Sequence, residues 1–88
     1  MPAFLVTYDL NREVVRPNIT GAIYKNFDWA RLSESSYAVT GTSSEAVYAV
    51  LKPLLDDNDN LYVIPLKKPY SGYGPNDVNA WLERNLTY

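Results

Sequence analysis

The segment Ala3-Phe4-Leu5-Val6-Thr7-Tyr8-Asp9 opens the chain with an uncharged, strand-forming run that stops at a single carboxylate. Phe, Val, Thr and Tyr suit the pleated and buried surface of a sheet, so the run predicts a β-strand. Because no charge precedes Asp9, we expect both faces of this strand to be covered, as in a central strand of a sheet. The prediction therefore places Asp9 at the carboxyl end of a central strand.

A carboxylate in this position has two interpretations. The carboxyl end of a buried strand is where an open α/β sheet usually carries its functional site, which makes Asp9 a candidate site residue. Asp also commonly begins a polar loop, and residues 9–13 have the composition of one. The residues alone leave both interpretations open.

The length and composition of the chain predict one small domain, residues 1–88. A domain of this size buries only about 60% of the surface of its unfolded chain, so association with a second copy would stabilise it. The chain has no Cys, which excludes a disulfide framework and thiol chemistry. Its first residues predict neither a signal peptide nor a membrane span, and we expect a cytoplasmic protein.

The charge balance disfavours unaided binding to a nucleic-acid backbone, because the formal net charge is −2. Arg12 and Arg16 follow Asp9 closely, and Lys67-Lys68 follow the last predicted strand. These cations form either a local basic patch or an ordinary solvated surface. Eight Tyr and two Trp are many for this length, and such side chains suit interfaces and the rims of sites.

Six further elements are predicted after the first strand. They are a helix from about Pro17 to Asn26, strands over 29–33 and 36–40, a helix after Thr42, a strand over 61–66 and a last helix capped by Asn76 or Gly74. This order is that of an α+β, ferredoxin-like βαββαβ sandwich with an antiparallel sheet, followed by an extra C-terminal helix. The face of the sheet without the first two helices would be bare, at Leu5 and Thr7 for example, unless the last helix covers part of it.

Three short motifs in the loops have local interpretations. Thr42-Ser43-Ser44-Glu45 predicts a capping box in which the Thr42 hydroxyl caps the second helix. The acidic run 56–60 lacks the Gly and Glu of an EF-hand, so it predicts a solvated loop and no calcium site. Gly72-Tyr73-Gly74 lacks the third Gly of a dinucleotide-binding loop and predicts only a turn.

The segment Leu5-Val6-Thr7-Tyr8-Asp9-Leu10 resembles the first strand of the small CRISPR-associated adaptation nucleases, which ends in Tyr-Asp and an aliphatic residue. The likeness is closer still to their short, stand-alone SinR-like relatives. Further motifs of those relatives recur in the same order as Leu32-Ser33-Glu34-Ser35-Ser36-Tyr37, Leu51-Lys52-Pro53, Gly72-Tyr73-Gly74 and Trp81-Leu82. The resemblance therefore extends over nearly the whole chain.

This resemblance implies a homodimer in which two copies of Asp9 face each other, bind Mg²⁺ or Mn²⁺ and support cleavage of a phosphodiester in RNA or DNA. Asp9 would be both the metal ligand and the catalytic residue. The other residues assigned to this hypothetical site are Tyr8, Asn11 and Ser36, which would shape it, and Arg12 or Arg16, which would meet phosphate. The chain departs from the nuclease family in having no His and in ending with a helix where that family adds a strand to the partner's sheet.

The alternative is a dimeric binding or scaffold protein without catalytic activity. In that hypothesis the open sheet face and the tyrosines serve association, and Tyr8, Tyr37 and Tyr62 are packing residues. The acidic net charge and the absence of His favour it. Binding of nucleic acid during purification is the property that separates the two hypotheses.

Overall fold

The computed structural model describes the backbone of residues 1–10 and 16–88 and the side chains of residues 1–10 and 18–88. The elements are β1 (Ala3–Asp9), α1 (Arg16–Asn26), β2 (Trp29–Ser33), β3 (Ser36–Thr40), α2 (Ser44–Leu51), β4 (Asn60–Leu66) and α3 (Asn76–Asn85). A 3₁₀ turn over Lys52–Leu54 follows α2 directly and contains Pro53, which closes the helix as expected. Every predicted strand and helix is present, with only small shifts at the ends.

The four strands form one open antiparallel sheet in the order β2-β3-β1-β4, so the described residues form a small α+β fold with three α-helices. The prediction that the first strand is central is confirmed. Thr7 of β1 lies between Ser36 of β3 and Tyr62 of β4. Pro65 lies in the edge strand β4, where its missing backbone donor is tolerated.

Helices α1 and α2 pack on one face of the sheet and form the larger core. The fully buried helical residues are Ile19 and Ile23 of α1 and Val47 and Leu51 of α2. They meet the side chains that alternate along the strands, namely Phe4, Val6, Tyr8, Tyr37, Val39 and Leu61. The predicted buried stripe of the second helix is thus correct at Val47 and Leu51, whereas its other members are only partly buried or exposed.

Helix α3 packs on the opposite face of the sheet and covers only part of it. Its buried side chains, Trp81 and Leu82, and Leu86 just after its end, lie against alanines of the three adjacent strands β1, β2 and β3: Ala3, Ala30 and Ala38. The small methyl groups let the helix approach the sheet closely. Two polar links fasten it, because the Trp81 indole N–H donates to Asp28 Oδ1 at 3.1 Å and the Lys68 ammonium lies 2.9 Å from a Glu83 carboxylate oxygen.

The start of α2 differs from the prediction by one residue. Ser43, in extended backbone conformation, is the N-cap, and its hydroxyl accepts a hydrogen bond from the Ala46 N–H at 3.0 Å. The predicted capping box with Thr42 as cap is therefore wrong. Helix α3 begins after Pro75 without a side-chain cap, so the two residues predicted for that role, Asn76 and Gly74, do not fill it.

Replacing each candidate cap in turn tests this correction. We expect Ser43→Ala to lower the free energy of unfolding by about 1 kcal/mol, because it leaves the Ala46 N–H without its acceptor. Thr42→Ala is the matched control and should change stability by only a few tenths of a kcal/mol, as expected for a surface substitution. Urea titrations followed by circular dichroism measure both values. A larger loss for Thr42→Ala would restore the capping box at Thr42.

Candidate functional site

The half of the sheet face that α3 leaves uncovered contains Asp9. We call it the open half-face, and it consists of Leu5, Thr7, Asp9, Ser36, Asn60, Tyr62 and Ile64, which share one face by strand alternation and register. Tyr62 is 64% exposed and Ile64 is 47% exposed. Large apolar side chains on a bare sheet face commonly mark a binding surface.

Asp9 lies at the end of β1, opposite Asn60 of the edge strand β4, and its side chain is exposed. The residues around it enclose an open depression of about 350 Å³, lined by Thr7, Tyr8, Asp9, Asn60 and Tyr62. This depression combines a carboxylate, an amide, a hydroxyl and an aromatic ring. Such a set of groups can bind a cation through oxygen atoms and an aromatic group through Tyr62.

Tyr8 holds the end of β1 in place from the other face of the sheet. Its ring is buried in the core with α1 and α2, and its hydroxyl donates to the Glu34 carbonyl oxygen at 3.2 Å. The Tyr8 backbone N–H donates to the Ser35 carbonyl oxygen at 3.0 Å. Tyr8 therefore positions the backbone next to Asp9, and its ring does not lie beside the Asp9 carboxylate.

Ser36 is on the same face as Asp9, in the strand next to β1. It pairs with Thr7, and its hydroxyl lies 2.6 Å from the Ser33 hydroxyl across the β2–β3 turn. The structure thus brings Ser36 to the margin of the open half-face, with part of its hydrogen-bonding capacity used within the hairpin. Its assignment as a residue that shapes the site stays a prediction.

The three remaining predicted site residues are not described at the level of their side chains. Asn11 and Arg12 lie outside the described residues, and Arg16 begins α1 with its side chain also outside them. Their proposed roles in shaping the site and in meeting phosphate therefore stay predictions.

A single chain offers a limited set of ligands for a metal ion. Among residues 1–10 and 18–88, no three His, Cys, Asp or Glu side chains come together. In the acidic loop, Asp59 Oδ2 already accepts from the Asp56 N–H at 2.8 Å within the turn. The oxygen donors near Asp9 nevertheless suit Mg²⁺, which retains several waters and needs only one or two carboxylates.

The tyrosines named in the association hypothesis separate into two kinds. Tyr8 and Tyr37 are buried, as predicted for packing residues, whereas Tyr62 is mostly exposed on the open half-face. Burial, and then the hydrogen bond with the Tyr24 hydroxyl, raise the pKa of Tyr37, so its hydroxyl stays protonated at physiological pH. Tyr37 is thus a packing residue and not an acid–base group.

Asn60 and Tyr62 were not predicted to accompany Asp9. The signal was present in the alternation of β4, because a strand antiparallel to β1 must place side chains beside Thr7 and Asp9. What the sequence lacked was the register of β4 against β1. The register follows only from the three-dimensional structure.

No family model matches the chain, and no curated protein matches it at a significant level. Within the part of the chain that the structure describes, no helix is long and apolar enough to cross a membrane.

Proposed function

We propose that the chain is a ferredoxin-like homodimer that binds a divalent cation between two copies of Asp9 and cleaves a phosphodiester of RNA or DNA. The observation that carries the proposal is the exposed Asp9 carboxylate at the end of the central strand, on the uncovered half of a sheet face. The strand order supports the topology, since β3 pairs antiparallel with both β1 and β2 and so lies between two strands of the same direction.

Two features of the single chain support the proposed dimer. Each chain supplies one carboxylate to the depression, and Tyr62 and Ile64 expose apolar surface beside it. A twofold axis through the open half-face would cover the apolar side chains with their own copies. It would also bring the two Asp9 carboxylates close enough to share one ion.

The residues of the depression have distinct parts in this proposal. Asp9 would hold the cation, which when bound polarises a phosphoryl oxygen and lowers the pKa of a bound water. Thr7 and Asn60 would donate hydrogen bonds to phosphate oxygens, and the exposed ring of Tyr62 would stack on a base of the substrate. With no His in the chain, the proton of the attacking water would pass to solvent or to the second carboxylate, and the leaving oxygen of the broken P–O bond would take a proton from solvent.

Sedimentation of the purified protein tests the paired carboxylates. Two Asp9 side chains near a twofold axis repel each other, so dimerisation should strengthen with Mg²⁺ and also with Asp9→Asn in EDTA, by about ten-fold in each case. Asp57→Asn, in an exposed loop, is the control and should leave the association constant unchanged. A monomer at every concentration would refute the dimer. A dimer whose association constant changes neither with Mg²⁺ nor with Asp9→Asn would show that the two Asp9 side chains do not lie close together at the interface.

A dimeric binding protein without catalysis is the second candidate function. The single carboxylate in the depression favours this function. A phosphodiesterase with one carboxylate per chain would need a second chain to place its own Asp9 beside the first. In this case the protein would dimerise through Tyr62 and Ile64, and no divalent cation would produce cleavage. Assays of the wild-type dimer with Mg²⁺ and with Mn²⁺ distinguish the two functions.

A further inference from the structure

Three aromatic rings form a compact cluster at the β2 edge of the sheet, on the face packed by α1 and α2. The Tyr24 and Trp29 rings lie 4.4 Å apart with a tilt of 35°, and both meet the Tyr37 ring edge-on at 5.9 and 6.0 Å. The Tyr24 and Tyr37 hydroxyls are 2.8 Å apart and hydrogen-bonded. The buried Tyr37 therefore holds the two outer rings in fixed orientations.

The two outer rings also reach the surface. Tyr24 is 46% exposed and Trp29 is 38% exposed, although contacts between aromatic rings usually accompany burial. Both rings contact Tyr37, which belongs to the buried hydrophobic cluster under α1 and α2. The pair thus presents a rigid aromatic surface to solvent.

Two cationic residues lie close to the aromatic pair in the sequence, and the Nε–H of one of them, Arg31, donates to the Ser33 carbonyl oxygen at 3.3 Å. Arg31 lies two residues after Trp29, and their register partners, Tyr37 and Val39, are both buried under the helices, which places Arg31 and Trp29 on the same side of β2. Lys25 follows Tyr24 in the last turn of α1. Within the described residues neither cation has an ion-pair partner.

The carboxylate nearest to Trp29 in the sequence, that of Asp28, interacts with α3 on the opposite face of the sheet. Asp28 precedes Trp29 directly, but its Oδ1 accepts the Trp81 indole N–H from α3, which packs on the opposite side of the sheet. Residues 24–31 carry two cations, Lys25 and Arg31, and one carboxylate, Asp28, although the whole chain is acidic.

We propose that this surface, formed by Tyr24, Lys25, Trp29 and Arg31, binds single-stranded nucleic acid. An unpaired base would stack on Trp29, and the neighbouring phosphates would meet the Arg31 guanidinium and the Lys25 ammonium. Aromatic rings stack on any base but only where it is unpaired, and the cations track the backbone, so single strands are favoured over duplexes. The site is separate from the Asp9 depression, and binding there does not require cleavage.

Fluorescence anisotropy of a labelled oligo(dT) in EDTA and low salt measures this binding without catalysis. We expect saturable binding that weakens with salt, and weaker binding of an abasic strand of the same length, because that strand keeps the phosphates and lacks the bases. A duplex competitor should displace the labelled strand poorly. Equal binding of the abasic strand, or no binding at millimolar protein, would overturn the proposal.

Two sets of variants locate the site. Trp29→Leu keeps apolar bulk and should weaken oligo(dT) binding about ten-fold, while Tyr73→Ala, at a fully exposed ring in the loop before α3, should not change it. Arg31→Gln should lower the slope of log binding constant against log salt concentration by about one, the value for one lost phosphate contact. Lys67→Gln, at an exposed lysine, should leave that slope unchanged. Wild-type binding by both Trp29→Leu and Arg31→Gln would exclude this surface. The anisotropy assay contains EDTA and measures no cleavage, so loss of oligo(dT) binding and loss of cleavage are independent outcomes.

Discussion

Asp9→Asn is expected to abolish divalent-cation-dependent cleavage of RNA or DNA while leaving the fold intact. The substitution keeps the size of the side chain and removes its charge, so the proposed pair of ligands becomes a pair of neutral amides. Loss of residues that merely orient metal ligands costs about 10- to 100-fold, so loss of the ligand itself should exceed about 100-fold in rate. The fold should survive because Asp9 is exposed at the end of its strand.

The controls for Asp9→Asn come from the same protein. Asp57→Asn removes an exposed carboxylate from the acidic loop and should leave the rate unchanged. Tyr62→Ala removes the exposed ring beside Asp9 and should lower the rate about ten-fold through weaker base stacking. Cleavage that persists at the wild-type rate in Asp9→Asn would contradict the proposed site. No cleavage by the wild-type protein with Mg²⁺ or Mn²⁺ would favour the binding protein without catalysis.

The strands were the most predictable part of this fold. The uncharged run before Asp9 predicted a central strand, and β1 indeed lies between β3 and β4. The β2 and β3 strands were predicted with their observed boundaries, because alternating side chains are a direct consequence of the pleat. In each case the signal is local, which is why a single sequence was sufficient.

Features that depend on distant contacts were less predictable. The cap of α2 is Ser43 because the chain leaving β3 is extended there, and the neighbouring Thr42 has the same hydroxyl chemistry. The position of α3 depends on alanines from three different strands. Nothing in the sequence around these alanines indicates that a helix packs on them. The residues around Asp9 depend on the register of β4, which composition does not contain.

The open half-face exists because α3 stops short of it, so the docking of α3 decides how much of the sheet is available for binding. Trp81 is the main anchor, since its ring is buried against the sheet and its indole N–H donates to Asp28. The alanines beneath it offer no larger side chain that could fill the space of a missing ring. Loss of this anchor would therefore leave a cavity between α3 and the sheet.

Trp81→Ala should lower the free energy of unfolding by about 3–5 kcal/mol, because it removes a large buried ring and its hydrogen bond together. Trp81→Phe keeps most of the apolar contact and should lower the free energy of unfolding by only about 1–2 kcal/mol. Asp28→Asn keeps a carbonyl oxygen that can accept the indole N–H, so its loss of stability should be smaller still. Urea denaturation measures the three values. Hydrogen exchange shows whether α3 opens alone, in which case its amides lose protection while those of β1 keep it. Equal, small losses for Trp81→Ala and Trp81→Phe would mean that α3 is not docked on the alanines in solution.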